Sequence, residues 1–102
     1  AAKNGSSFAT MRTIGSTQVG CFSQKNRFCR LTELQSILSN GLGTTAGEKV
    51  IRNTFTFEMN PDPVSDAELA SAYVVTATSN VVGETVYKYE LTEKGEIKQL
   101  LP

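Results

Sequence analysis

The stretch SSFATMRTIGSTQVGCF, residues 6–22, decides the fold. At about 100° per residue, Phe8, Met11, Gly15, Gln18, Val19 and Phe22 fall on one helical face, with Ile14 at its margin. Ser6, Thr13, Ser16 and Thr17 face elsewhere. Gly15 and Gly20 each weaken such a helix by roughly 1 kcal/mol relative to Ala, so it needs a surface to lie on. Gly15 on the apolar face predicts close approach by a strand or a second helix. The helix is expected to end near Gly20–Ser23, with Gln24-Lys25-Asn26 as a polar turn.

Beyond that turn, Leu31 to Leu38 (LTELQSIL) reads as a short second helix. Thr32 is its candidate N-cap, and Leu34, Ile37 and Leu38 form its apolar face. Asn40-Gly41 is a stop signal, and Gly41 to Lys49 (GLGTTAGEK) reads as loop. Strands follow at Val50–Met59, Ala72–Ser79, Thr85–Thr92 and, as a short edge, Gly95–Leu100. Glu93-Lys94-Gly95 suits a tight hairpin with Gly in the left-handed position. Between the first two strands, NPDPVSDAELAS (residues 60–71) holds two prolines and cannot be strand. Its Ser65-Asp66-Ala67-Glu68 fits a capping box, so one helical turn follows Ser65. The expected architecture is α+β: an N-terminal helix laid across a three- to four-stranded antiparallel meander. It is one domain over residues 1–102: helix to residue 23, a loop with a short helix over 24–49, and sheet over 50–102.

The 102 residues suffice for one core only. With 39% hydrophobic and 20% charged residues, the composition is that of an ordinary soluble globular domain. Ten basic residues balance ten acidic ones, which disfavours gripping nucleic acid or an anionic membrane. Histidine is absent, removing the commonest general base and metal ligand. Two cysteines without histidine cannot build a Cys₄ or Cys₂His₂ zinc site. The expectation is a non-catalytic chain with no metal and no cofactor. The longest apolar-rich stretch, Ala70–Ala77, falls far short of the ~20 residues that span a bilayer. The opening Ala1-Ala2-Lys3 reads equally as a mature terminus after cleavage at small residues or as a cut end.

Cys21 and Cys29 would sit ~12 Å apart on a continuous helix, whereas a disulfide needs less than ~7 Å between Cα atoms. A bridge therefore requires the helix to end between them, as the polar turn indicates. Closing this loop stabilises by about 2.6 kcal/mol on the chain-entropy model. A structural disulfide is the favoured reading, over free thiols and over a redox pair lacking the C-x-x-C spacing. It would place the chain in an oxidising compartment.

Other groupings carry less. Gly41 to Lys49 fails as a phosphate loop, because Glu48 separates Gly47 from Lys49 and a helix precedes it. Lys25, Arg27 and Arg30 surround Phe28, a pattern able to stack on bases. The cluster is short, so a solvated turn or a charge contact is the plainer reading. Asp62, Asp66 and Glu68 lack Ca²⁺-loop spacing and suit a helix N-terminus. Tyr73, Tyr87 and Tyr89 are expected to pack across strands.

Several segments in this order carry a family resemblance: Met11-Arg12-Thr13-Ile14-Gly15-Ser16-Thr17-Gln18, then Phe28-Cys29-Arg30-Leu31-Thr32-Glu33-Leu34 and Gly41-Leu42. Phe55-Thr56-Phe57, Tyr73 to Thr78, Tyr87 to Leu91 and Glu93 to Lys98 complete the set. Together, from about Phe8 to Gln99, they resemble the globular part of bacterial type IV pilins and pseudopilins. The resemblance implies the end of a long helix, a loop with a short helix and an antiparallel meander, without enzymatic activity. Pilins begin with a highly apolar helical segment containing a glutamate, preceded by a prepilin cleavage site, and this sequence has neither. It is then a piece of a longer pilin, or the globular chain of a split pilin of the geopilin domain 2 type. In the split case a short helical pilin chain supplies the hydrophobic helix, and neighbouring copies complete the filament. Ala2, Lys3, Phe8, Met11 and Arg12 are the expected partner interface. The location implied is the periplasm, the cell surface or an extracellular filament. The alternatives are a minor pseudopilin of a type II-like secretion system, or a free periplasmic module that captures a peptide at a sheet edge or at Gly41–Lys49.

Overall fold

Helix α1 (Ala2–Lys25) runs past Gly20 and Ser23 before it stops. The computed structural model describes residues 2–60, 64–79, 81 and 83–101, with side chains from Ser7 onward. Asn26 ends the helix by taking a left-handed φ of 58°, and its N–H donates to the Phe22 carbonyl at 2.9 Å. The chain then doubles back. Cys29 comes to 6.0 Å from Cys21, Cα to Cα, and the two are joined by a disulfide.

The face that α1 buries differs from the one expected. Val19 is 69% exposed and Phe22 39%, whereas Ile14, read as marginal, is fully buried. The buried stripe is Ser7, Met11, Ile14, Gln18 and Cys21, with Thr10 beside it. Apolar periodicity misplaced the face because this stripe mixes polar and apolar residues. Gln18 is tolerated there because its Nε2 donates to the Cys29 carbonyl at 2.8 Å and its Oε1 accepts the Cys29 N–H at 2.6 Å. Both polar ends of the amide are thus satisfied in the interior.

Helix α2 (Leu31–Ile37) starts one residue before the expected cap at Thr32. Arg30 occupies the cap position, and the Glu33 carboxylate accepts its backbone N–H at 2.9 Å. The helix ends before Asn40-Gly41, with Ser39 and Asn40 both left-handed. The Asn40 N–H donates to the Gln35 carbonyl at 2.8 Å, the six-to-one bond of a Schellman stop. Helix α3 (Asp66–Leu69) carries the expected capping box: Ser65 Oγ accepts from the Glu68 N–H, and Glu68 Oε1 from the Ser65 N–H, both at 3.2 Å.

The sheet has six antiparallel strands in sequential order: β1 (Thr44–Ala46), β2 (Lys49–Arg52), β3 (Phe55–Met59), β4 (Val74–Ser79), β5 (Lys88–Thr92) and β6 (Ile97–Leu101). The expected three to four strands were too few for two reasons. Val50–Met59 is two strands, not one, because Asn53 turns left-handed (φ 56°) and pairs Arg52 with Phe55. The presumed loop at Gly41–Lys49 contains β1, folded on β2 around Gly47 at φ 63°. At the other end, Gly95 (φ 79°) closes the β5–β6 hairpin as expected, with its N–H on the Thr92 carbonyl at 2.9 Å.

Alternate residues of β3 (Phe55, Phe57, Met59) and of β4 and β5 (Val75, Ala77, Tyr89, Leu91) face Met11 and Ile14 of α1 to form the core. Fully burying each large side chain contributes roughly 1.5–3 kcal/mol. Tyr89 stands between Phe8 (centroids 4.7 Å apart) and Phe55 (6.1 Å), so the tyrosine packing expected from sequence is present at this position.

Candidate interaction surface

An open groove runs between α1 and the β5–β6 edge. One wall is Met11, Arg12, Gly15, Ser16 and Val19, spaced at single helical turns; the other is Leu91, Gly95 and Ile97. Its volume is about 280 Å³. A Cβ built on Gly15 would lie 3.9 Å from Leu91 Cδ2 and from the Tyr73 hydroxyl. The neighbouring sheet therefore comes near Gly15 at ordinary contact distance, without requiring glycine.

The expected partner interface divides along α1. Phe8 is half-buried and held edge-on by Tyr89. Met11, on the same wall, is fully buried, while Arg12 is exposed. The side chains of Ala2 and Lys3 lie outside the described residues. Val19 and Ile97 are surface features that the sequence reading missed. Val19 falls on the face expected to be buried, yet it is exposed. Ile97 lies on the short edge strand expected over Gly95–Leu100 and pairs with Leu91, but its place beside α1 follows only from the fold.

The basic cluster is engaged by acidic side chains at the surface. Arg27 holds Glu33 through two hydrogen bonds at 2.9 and 2.8 Å, and Lys25 reaches the same carboxylate at 3.4 Å. Arg30 Nη2 lies 2.6 Å from Asp66, and Arg30 also donates to the Val64 carbonyl. Phe28 sits between Phe22 and Tyr73, 4.8 Å from each. The cluster thus ties α1, α2 and α3 together, its three cations sharing the carboxylates of Glu33 and Asp66. The hydrogen bond from Arg27 holds the Glu33 carboxyl down at about 2, and Arg27 is correspondingly raised. Burial pushes the Tyr73 hydroxyl up to about 12.

The remaining candidates have structural duties. Asp66 pairs with Arg30 and Glu68 closes the α3 cap, while Asp62 lies outside the described residues. Lys49, at the end of the rejected phosphate loop, pairs with Glu58 at 3.1 Å. Gln35 fastens that segment: its amide donates to the Gly43 carbonyl at 2.9 Å and accepts from the Leu42 N–H at 3.0 Å. Among the described residues no group of three His, Cys, Asp or Glu is placed to hold a metal. Nor is any helix there long and apolar enough to cross a membrane.

No family model, curated protein or solved structure matches this chain.

Proposed function

We propose that this chain is a non-catalytic structural subunit of a type IV pilus-like filament, assembled with a hydrophobic pilin helix supplied outside these 102 residues. The observation that supports it is the packing of α1. One face of a 24-residue helix is buried on an antiparallel meander, and the next face, from Arg12 to Val19, is left open beside an apolar groove. That division suits a helix gripped by its own domain on one side and by neighbouring subunits on the other. The disulfide is compatible with a periplasmic or extracellular location. No constellation described above joins a nucleophile to a base.

The reading is tested by immunogold labelling of cells of the source organism and of filaments sheared from them, with antibody against the purified domain. Label along the length of the filaments is expected. Filaments free of label, with the chain recovered from the soluble periplasm, would refute the proposal and favour the free binding module.

A further inference from the structure

The sequence holds Asn-Gly twice, at Asn4-Gly5 and Asn40-Gly41. The second pair forms the stop that ends α2. Asn40 is exposed at a left-handed φ of 63°, and its N–H donates to the Gln35 carbonyl at 2.8 Å. The Gly41 N–H donates to the Leu38 carbonyl at 3.0 Å. A Cβ on residue 41 would meet that same carbonyl oxygen at 2.9 Å, so the turn demands glycine there. Arg52 Nη1 donates to the Gly41 carbonyl at 3.0 Å, and the Gln35 amide fastens the adjoining Leu42 and Gly43.

We propose that Asn40-Gly41 is a site of spontaneous covalent modification, and that the stop built around it sets the rate. Asparagine is a thermolabile residue, and a glycine after it leaves the next backbone nitrogen unshielded by any side chain. In the reaction the Gly41 nitrogen attacks Asn40 Cγ. The Cγ–Nδ2 bond breaks, the proton of the Gly41 N–H leaves with the amide nitrogen as ammonia, and a five-membered succinimide remains. Water then opens the ring at one of its two carbonyls, giving aspartate or isoaspartate. The step needs no oxidant, reductant or other co-reactant. In the closed stop the attacking nitrogen is committed, because its N–H points at the Leu38 carbonyl. Attack therefore requires the last turn of α2 to open, a local event that is cheaper than unfolding the domain.

The product cannot restore the stop. Isoaspartate adds a carbon to the main chain, so the N–H groups of residues 40 and 41 no longer reach the Gln35 and Leu38 carbonyls together. Either product sets a carboxylate beside the last carbonyls of α2, at the negative end of the helix dipole. Leu42 follows at once and is buried, and β1 begins at Thr44, so the disturbance passes into the β1–β2 hairpin. Conversion runs one way, because remaking the amide requires an activated nitrogen donor. The inference does not depend on the filament reading, because it concerns the isolated chain.

Mass spectrometry of tryptic peptides tests it, on the full chain held at mildly alkaline pH. The peptide Leu31–Lys49 contains no asparagine but Asn40, and cleavage after Lys3 and Arg12 isolates Asn4 separately. The folded chain is expected to accumulate aspartate and isoaspartate at residue 40. It should do so at least about tenfold more slowly than the same chain unfolded in urea, because opening of the stop precedes attack. Gln35→Ala and Arg52→Ala loosen the stop without touching the Asn-Gly pair, and each should speed conversion by about threefold or more. Arg52 is exposed, so its variant keeps the fold even where the change at the buried Gln35 does not. Chains carrying isoaspartate, separated by ion exchange, should exchange their amide hydrogens faster over residues 44–46 than unconverted chains. Conversion as fast in the folded chain as in urea, a folded chain that never converts while the unfolded one does, or a rate unchanged in Arg52→Ala would each overturn the inference.

Discussion

Replacing Gln18 by alanine tests the account of how α1 is held. The amide of Gln18 supplies both hydrogen-bond partners of the Cys29 backbone, at 2.8 and 2.6 Å, and both residues are essentially inaccessible. Gln18→Ala leaves one buried N–H and one buried C=O unpaired. Each such group costs about 1–3 kcal/mol, so the expected loss is about 2–6 kcal/mol. Against a total of roughly 5–15 kcal/mol for a domain, that is a large fraction. With a urea slope of about 1–1.5 kcal/mol/M, the unfolding midpoint followed by far-UV circular dichroism should fall by about 1.3 M or more.

Two further variants separate the causes. Gln18→Met keeps nearly the same volume, so a loss comparable to that of Gln18→Ala assigns the effect to hydrogen bonding and not to a cavity. Gln18→Glu still accepts from the Cys29 N–H but, ionised, cannot donate to its carbonyl. Burial raises the carboxyl's folded value above its unfolded one. The variant should therefore be least stable relative to wild type at neutral pH and recover as the medium is acidified. Because the disulfide holds the same residue against α1, the losses from Gln18→Ala and from Cys21→Ser/Cys29→Ser should not add. A loss below about 0.5 kcal/mol for both Gln18→Ala and Gln18→Met would refute the reasoning, since surface substitutions reach that size.

Glu33 should make stability depend on acidity. Its folded value is about 2, below the ordinary 4.5, so the contribution is complete above about pH 4.5 and disappears as pH falls through about 2. The full shift corresponds to about 3 kcal/mol, reduced by screening to about 1–2 kcal/mol at a side chain that is 25% exposed. In urea titrations, the gap between wild type and Glu33→Gln should narrow over that window; a gap unchanged at pH 2 would contradict it. Gly15→Ala should stabilise by about 0.5–1 kcal/mol, because the added methyl meets Leu91 at 3.9 Å without overlap; a lower melting temperature would show that the sheet lies closer. Cys21→Ser/Cys29→Ser should lose about 2.6 kcal/mol in a urea titration, on the chain-entropy model; an unchanged midpoint would mean that the buried amide alone fixes the turn.

The parts of the fold legible in the sequence were those governed by local chemistry. The Ser65–Glu68 box, the Gly95 hairpin and the reversal that lets Cys21 meet Cys29 depend on a few consecutive residues and came out as expected. What failed depended on side-chain and backbone pairings that hydrophobic alternation and cap preferences do not encode. Asn53 turns the chain between two strands because Arg52 and Phe55 pair across it, and no glycine announces the turn. Thr32 looked like a helix cap, but Arg30 took the position once Glu33 reached its N–H and Arg27 and Lys25 reached Glu33. β1 is exposed along its whole length, so hydrophobic alternation could not reveal it.

The rotation of α1 links these failures to the candidate surface. Hydrophobicity alone turns Val19 and Phe22 inward beside Gln18 and leaves Ile14 at the margin of the buried stripe. The Cys29 backbone reverses that preference, because it emerges from the disulfide-closed turn with a donor and an acceptor that the Gln18 amide satisfies together. Turning Gln18 inward carries Val19, the next residue, about 100° around the helix, out of the core and onto the rim of the groove. The buried amide and the exposed valine are then one decision, made by hydrogen bonding inside the molecule and read outside it as an apolar surface beside Ile97.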